Sequence, residues 1–331
     1  MSRSLRLDVH GVVIALDGDD AAIEGLAVHF AAFVVDASAP PVIRVRLRRR
    51  APDVGLPAGH AADQIVDRGL VYNLGSVTVV DHHGHATSRY DFARDDGVVT
   101  ATATEDLVEL GYLMVSSRLG VHLESRGFVR VHGIGLAVGD RAAIVLAPSG
   151  GGKSTLARAL LRSTDASLLG DDLVLLDRRG WVHPFPTPIG LTDPAQAAGL
   201  GRAIPFPRRL HEPKWMLPVD AIRDRIETRP MPLTAVVVLR RVVGDHVDLR
   251  SVSRRRVAGP LARDAIVGLG LPQVIEFVVR HGARDLVRMA PSVVRRSRAV
   301  AAALAHAKGF ELDAGPPDAA AEALVRALRD A

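Results

Sequence analysis

The octapeptide Ala147-Pro148-Ser149-Gly150-Gly151-Gly152-Lys153-Ser154 constrains this chain more than any other feature. Five apolar residues, 142–146, precede it and read as a short buried strand. Thr155-Leu156-Ala157-Arg158-Ala159-Leu160-Leu161 follows and reads as a helix. Three consecutive glycines let a backbone curl around an anion with its N–H groups pointing inward. The positive end of the next helix adds its partial charge. Lys153 is placed to reach terminal phosphates, and the Ser154 hydroxyl to ligate Mg²⁺. Residues Ser149, Gly150, Gly151, Gly152, Lys153, Ser154 and Thr155 are therefore expected to form a P-loop, with Ala147 where glycine is commoner. Thr155 either touches the α-phosphate or packs in the first turn.

Only three of the 42 basic residues are lysine: Lys153, Lys214 and Lys308. Arginine is the default cation here, so a lysine inside the loop stands out. Downstream, Leu168-Leu169-Gly170-Asp171-Asp172-Leu173-Val174 sets two adjacent carboxylates between apolar runs, at the distance expected for a strand beside the loop. One acidic residue there can hold Mg²⁺ while another takes a hydroxyl proton. Upstream, His132-Gly133 opens the hairpin that delivers the loop's strand.

Composition narrows the field. The chain is 48% hydrophobic and 24% charged, ordinary for a globular protein. No apolar run approaches the roughly 18 residues of a spanning helix, and Asp17 arrives too early for a signal-peptide core. Cysteine is absent, which excludes disulfides, thiolate metal sites and thiol catalysis. Net charge is +5, but acidic residues are interspersed. Two Trp, three Tyr and eight Phe supply a base-stacking surface poorly. The expectations are a cytoplasmic protein with neither nucleic acid nor membrane as partner, and an open question over homo-oligomers.

The pattern along the chain predicts an α/β protein in three parts. Residues 1–120 read as a smaller α+β N-terminal domain, with strands near 5–8, 12–16, 42–48, 70–72 and 76–80 and helices over 21–35 and 104–119. Residues 121–257 read as a nucleotide-binding core with strands near 128–131, 136–138, 142–146, 173–176 and 235–239. Residues 258–331 read as mostly helical, interrupted at Pro272 and Pro291, with one more strand at 310–313. Between Gly180 and Pro232 the chain is rich in proline and low in periodicity, as a substrate-facing excursion would be.

His132-Gly133, Ser149-Gly150-Gly151-Gly152-Lys153-Ser154 and Gly170-Asp171-Asp172, at these spacings, resemble the HPr kinase/phosphorylase family, which shares its nucleotide fold with phosphoenolpyruvate carboxykinase. The resemblance covers roughly residues 128–180. It implies a P-loop kinase core that transfers the γ-phosphate of ATP, with Mg²⁺, to a serine hydroxyl of a peptide or protein. By position it implies Lys153 and Ser154 on phosphate and Mg²⁺, Asp171 as the base, Asp172 assisting the metal, and His132 near the phosphates. The Arg-Gly-Leu-Gly-Ile segment of the regulatory enzymes is not found after residue 180; Gly190, Gly199 and Gly201 stand in a different setting. That departure counts against phosphorolysis and against HPr as acceptor. The N-terminal region is more similar to HPr-kinase-related tailoring proteins of ribosomal peptides, such as those beside lasso-peptide genes.

Other constellations carry weaker expectations. Arg208, Arg209, His211 and Lys214 are either a solvated loop or a clamp for phosphate or an acidic peptide; on the second view the excursion holds an extended acceptor peptide. Arg240 and Arg241 end an apolar strand, where one can neutralise developing charge or simply face water. Asp81-His82-His83-Gly84-His85 reads as a polar hairpin turn sooner than as a metal site. Two functions compete with the kinase: a scaffold that binds ATP without transfer, and a small-molecule phosphotransferase.

Overall fold

The computed structural model describes residues 2–36, 39–57, 59–148, 150–206, 214–267 and 283–330, and shows a mixed α/β protein. The chain forms two compact units. The first comprises residues 1–123, 205–214 and 272–288; the second comprises 124–204, 215–271 and 289–331.

The first unit is built on an eight-stranded sheet. Ser2–Val9 and Val12–Asp19 form a hairpin whose turn residues, His10 and Gly11, both take positive φ, as the right-handed strand twist demands. Asp19 then accepts a hydrogen bond from the Ala22 amide and caps the helix Asp20–His29. That helix ends at Phe30 rather than continuing to residue 35; a 3-10 turn, Ala31–Phe33, follows. In Ile43–Arg49 the alternation of apolar and arginine residues becomes buried Ile43, Val45 and Leu47 against exposed Arg44 and Arg48. The helix Thr104–Ser125 lies close over that buried face, where a Cβ on Gly111 would sit 3.0 Å from Leu47 and 3.2 Å from Leu26. Three strands of this sheet, Gln64–Val66, Ala86–Asp91 and Asp96–Ala101, were not expected from sequence.

The second unit is layered. Arg141–Leu146, Met231–Arg241 and Lys308–Ala314 run parallel at its centre. Successive residues of these strands enter different cores. Ala143, Val145, Ala235 and Val237 pack under the helices Lys153–Ser163 and Pro317–Asp330. Ile144, Leu146 and Val236 pack under Arg254–Ala262 and the end of Ala283–His306. A sheet covered on both faces calls for continuous apolar strands, which residues 142–146 and 235–239 supply. The helix Ala283–His306 runs through Pro291 without the expected break; a proline removes one N–H donor, and Ala299, Val300 and Ala303 keep its far end buried. Between residues 180 and 232 there is more structure than low periodicity suggested, including strands Trp181–His183, Ile189–Leu191 and Lys214–Leu217. Among the described residues no helix is long and apolar enough to cross a membrane.

Candidate functional site

Strand register explains why three separated sequence pieces meet. Ile134–Val138 pairs antiparallel with Arg141–Leu146, Ile134 opposite Val145, so His132 falls level with Ala147 at the start of the glycine loop. On its other side, Ile134–Val138 pairs antiparallel with Ser167–Gly170, Gly135 opposite Gly170. Asp171 therefore leaves the sheet at the same edge. The strand Ser167–Gly170, absent from the sequence-based reading, is what carries it there. Gly170 is required sterically: a Cβ would lie 2.2 Å from the Leu173 carbonyl oxygen and 2.8 Å from that of Phe185.

The loop has the backbone its glycines permit. Gly150 and Gly152 take φ of 74° and 93°, and a Cβ on Gly151 would approach the Pro148 carbonyl oxygen to 2.8 Å. Gly152 caps the helix Lys153–Ser163, whose first N–H groups face the loop's mouth. Lys153 is 5% exposed, and its Nζ donates to the carbonyl oxygens of Ala147 and Pro148 at 2.8 and 3.3 Å. Burial holds its pKa below the ordinary lysine value, against the opposing charges of Asp172, Asp171 and Asp264.

Ser154 Oγ donates to Asp171 Oδ2 at 2.9 Å. Asp171 is 1% exposed, and its Oδ1 has no hydrogen-bond partner. Burial, then the charge of Asp172, pushes its carboxyl well above the usual carboxylate range; the Ser154 bond, Lys153 and Arg158 pull the other way. Asp172 is exposed, and its backbone carbonyl accepts from His132 Nδ1 at 3.1 Å. Because a carbonyl only accepts, Nδ1 carries the proton. Burial and Lys153 lower the His132 pKa, so the ring is neutral at pH 7 and Nε2 is a bare acceptor, buried and unpartnered. Unsatisfied buried atoms cost about 1–3 kcal/mol each and concentrate at functional sites. Two of them, Asp171 Oδ1 and His132 Nε2, belong to side chains within electrostatic reach of Lys153.

Sequence reasoning missed two participants. Arg158, 6% exposed, donates to Ser154 O at 3.1 Å, Thr155 Oγ1 at 3.2 Å and Gln196 Oε1 at 2.6 Å, tying the loop's helix to the 3-10 turn Pro194–Ala197. Thr155 itself is exposed, with its hydroxyl held by Arg158. The second is Asp264, 2% exposed, whose charge acts on both Lys153 and His132. In a chain so rich in arginine and aspartate nothing in the local sequence marked these two.

The remaining expected residues are less concentrated. Ser149, Arg208, Arg209 and His211 lie outside the described residues. Lys214 is exposed and belongs to the first unit. Arg241 is exposed at the end of its strand, and Arg240 forks onto Asp313 at 2.7 and 2.8 Å. His246, Asp248 and Asp313 bring their ligand atoms within 4.8 Å of one another, but Asp313 is already held by Arg240. The Asp81–His85 turn does not converge on a point. His82 bonds Arg68 O and Ser88 Oγ, whereas His83 bonds Asp67 O.

The donor set fits a nucleotide phosphate with Mg²⁺. Lys153 and the helix N-terminus supply positive charge, while the Ser154 hydroxyl and two carboxylates supply hard oxygen ligands. No protein-family model matches the chain, and no curated protein matches its sequence.

Proposed function

We propose that this protein is an ATP-dependent phosphotransferase with a P-loop kinase core of the HPr kinase type, acting on a serine-type hydroxyl of a peptide or protein. The observation that carries the reading is the 2.9 Å bond from Ser154 Oγ to Asp171 Oδ2, made across the edge where Lys153 and His132 also end. A glycine-rich turn with no ligand has no reason to aim a buried carboxylate at the first turn of the next helix and leave its second oxygen unsatisfied.

In this reading Lys153 moves from the Ala147 and Pro148 carbonyls onto the β- and γ-phosphates. Asp171 accepts the acceptor's hydroxyl proton as the oxygen attacks the γ-phosphorus; the bond to the β–γ bridging oxygen breaks and ADP leaves with that electron pair. Mg²⁺ supplies positive charge that favours the ionised carboxylates and offsets the phosphates. Ser154 and Asp172 would hold it, and His132 Nδ1 donates to the Asp172 backbone carbonyl, which fixes that turn. A carboxyl whose pKa burial has raised toward neutrality is a stronger base once ionised, which suits proton transfer near pH 7.

Asp171→Asn separates chemistry from binding. It should leave MgATP affinity within about threefold and lower turnover at least about a hundredfold. Asp172→Asn should act mainly by raising the Mg²⁺ concentration needed. Small and equal effects from both would make the Asp-Asp turn structural and the reading wrong.

A further inference from the structure

Arg263 and Asp264 begin a single π-turn, Arg263–Val267, directly after the helix Arg254–Ala262. Turns of this kind are rare and occur frequently at functional sites. Asp264 is 2% exposed and takes the Arg263 fork, Nε to Oδ1 at 2.7 Å and Nη2 to Oδ2 at 3.1 Å. A guanidinium offers five N–H donors in one plane, and this pairing uses one edge. The other edge, Nη1 with the second hydrogen of Nη2, makes no hydrogen bond with a described residue. The Arg263 side chain is 43% exposed. The π-turn packs against the strand Val129–Val131, whose next residue is His132, and the charge of Arg263 reaches Lys153. A terminal phosphate carries more negative charge than one lysine neutralises, so a second cation within reach of Lys153 stabilises it.

We propose that Arg263 is a phosphate-binding arginine, its open guanidinium edge taking two oxygens of the nucleotide's terminal phosphate, with Asp264 as the positioning residue that fixes the plane of the fork. The inference rests on the phosphotransferase reading above. Arginine suits the task because its fork matches two phosphate oxygens at once, which a lysine ammonium does not. A guanidinium held in place needs no reorganisation as charge develops on the transferring group.

Calorimetric titration of the full chain with MgATP and MgADP tests this. The wild type should bind ATP more tightly than ADP. Arg263→Lys, and the double variant Arg263→Met with Asp264→Asn, should each raise the ATP Kd at least about tenfold while the ADP Kd moves less than about twofold. The double variant removes the buried carboxylate along with its partner, so no uncompensated charge is left inside. Retained ADP binding reports that the site is folded. If both variants keep the wild-type preference for ATP, Arg263 is not on the terminal phosphate and the inference is overturned while the phosphotransferase reading stands. If the wild type binds neither nucleotide, that reading falls and this inference with it.

Discussion

At the scale of single residues, Lys153 carries the greatest burden. It is buried, its ordinary pKa is depressed by that burial, and two backbone carbonyls are its hydrogen-bond partners. A lysine placed this way pays a desolvation cost that a bound phosphate would repay. Lys153→Ala should therefore weaken MgATP about 10- to 100-fold, the range of a charge-assisted contact, without lowering thermal stability. Wild-type affinity in that variant would remove the glycine loop from the site. The loop, the Asp-Asp turn and His132 were legible because their residue types are chemically specific and Lys153 is rare in this chain. Arg158 and Asp264 were not. Their roles come from burial and from which carbonyl or charge they face, and arginine and aspartate are common everywhere in the sequence.

At the scale of elements, the helix behind the loop is secured by a side chain far along the chain. Arg225 donates to the carbonyl oxygens of Leu161, Thr164 and Ala166, each at 2.7 Å, at the helix C-terminus where backbone acceptors lack partners. A cation there also complements the helix dipole. Arg225→Ala should cost about 2–3 kcal/mol of unfolding free energy in urea, with MgATP affinity little changed because the loop lies at the other end. A loss below about 0.5 kcal/mol would mean that water replaces the clamp. Strands with strong apolar runs, such as Arg141–Leu146 and Met231–Arg241, were readable in the sequence. Ala86–Asp91 and Val247–Val252 were not, since Thr, Ser, Arg and Asp make up half or more of each and their neighbours' backbone hydrogen bonds make them strands. Ser167–Gly170 was missed for a related reason: four residues are too few to show a period, yet its register with Ile134–Val138 places Asp171.

At the scale of the whole molecule, stability should fall in acid through one buried imidazole. His29 packs against the rings of Tyr112 and Phe206, at 4.8 and 4.6 Å between centroids, and burial lowers its pKa to about 4. The folded value lies below that of the unfolded chain, so protonation favours unfolding. The neutral ring is fully tolerated above about pH 6.5. As the pH falls from there to about 4, the native state loses up to about 3 kcal/mol relative to a protein without this group. Urea melts of the wild type and His29→Phe at pH 7 and pH 4 should show the variant losing that much less. Equal losses would mean that the ring reaches water in the native state.

Phosphoryl transfer at Asp171 is measured directly by a single-turnover incubation with γ-labelled MgATP and a panel of serine-containing peptides. The wild type should move the label to a peptide hydroxyl within the time of one turnover, and both Lys153→Ala and Asp171→Asn should leave it on ATP. A wild type that binds MgATP and holds it unconverted with every peptide, or an Asp171→Asn protein that transfers the label as fast as the wild type, would contradict the account.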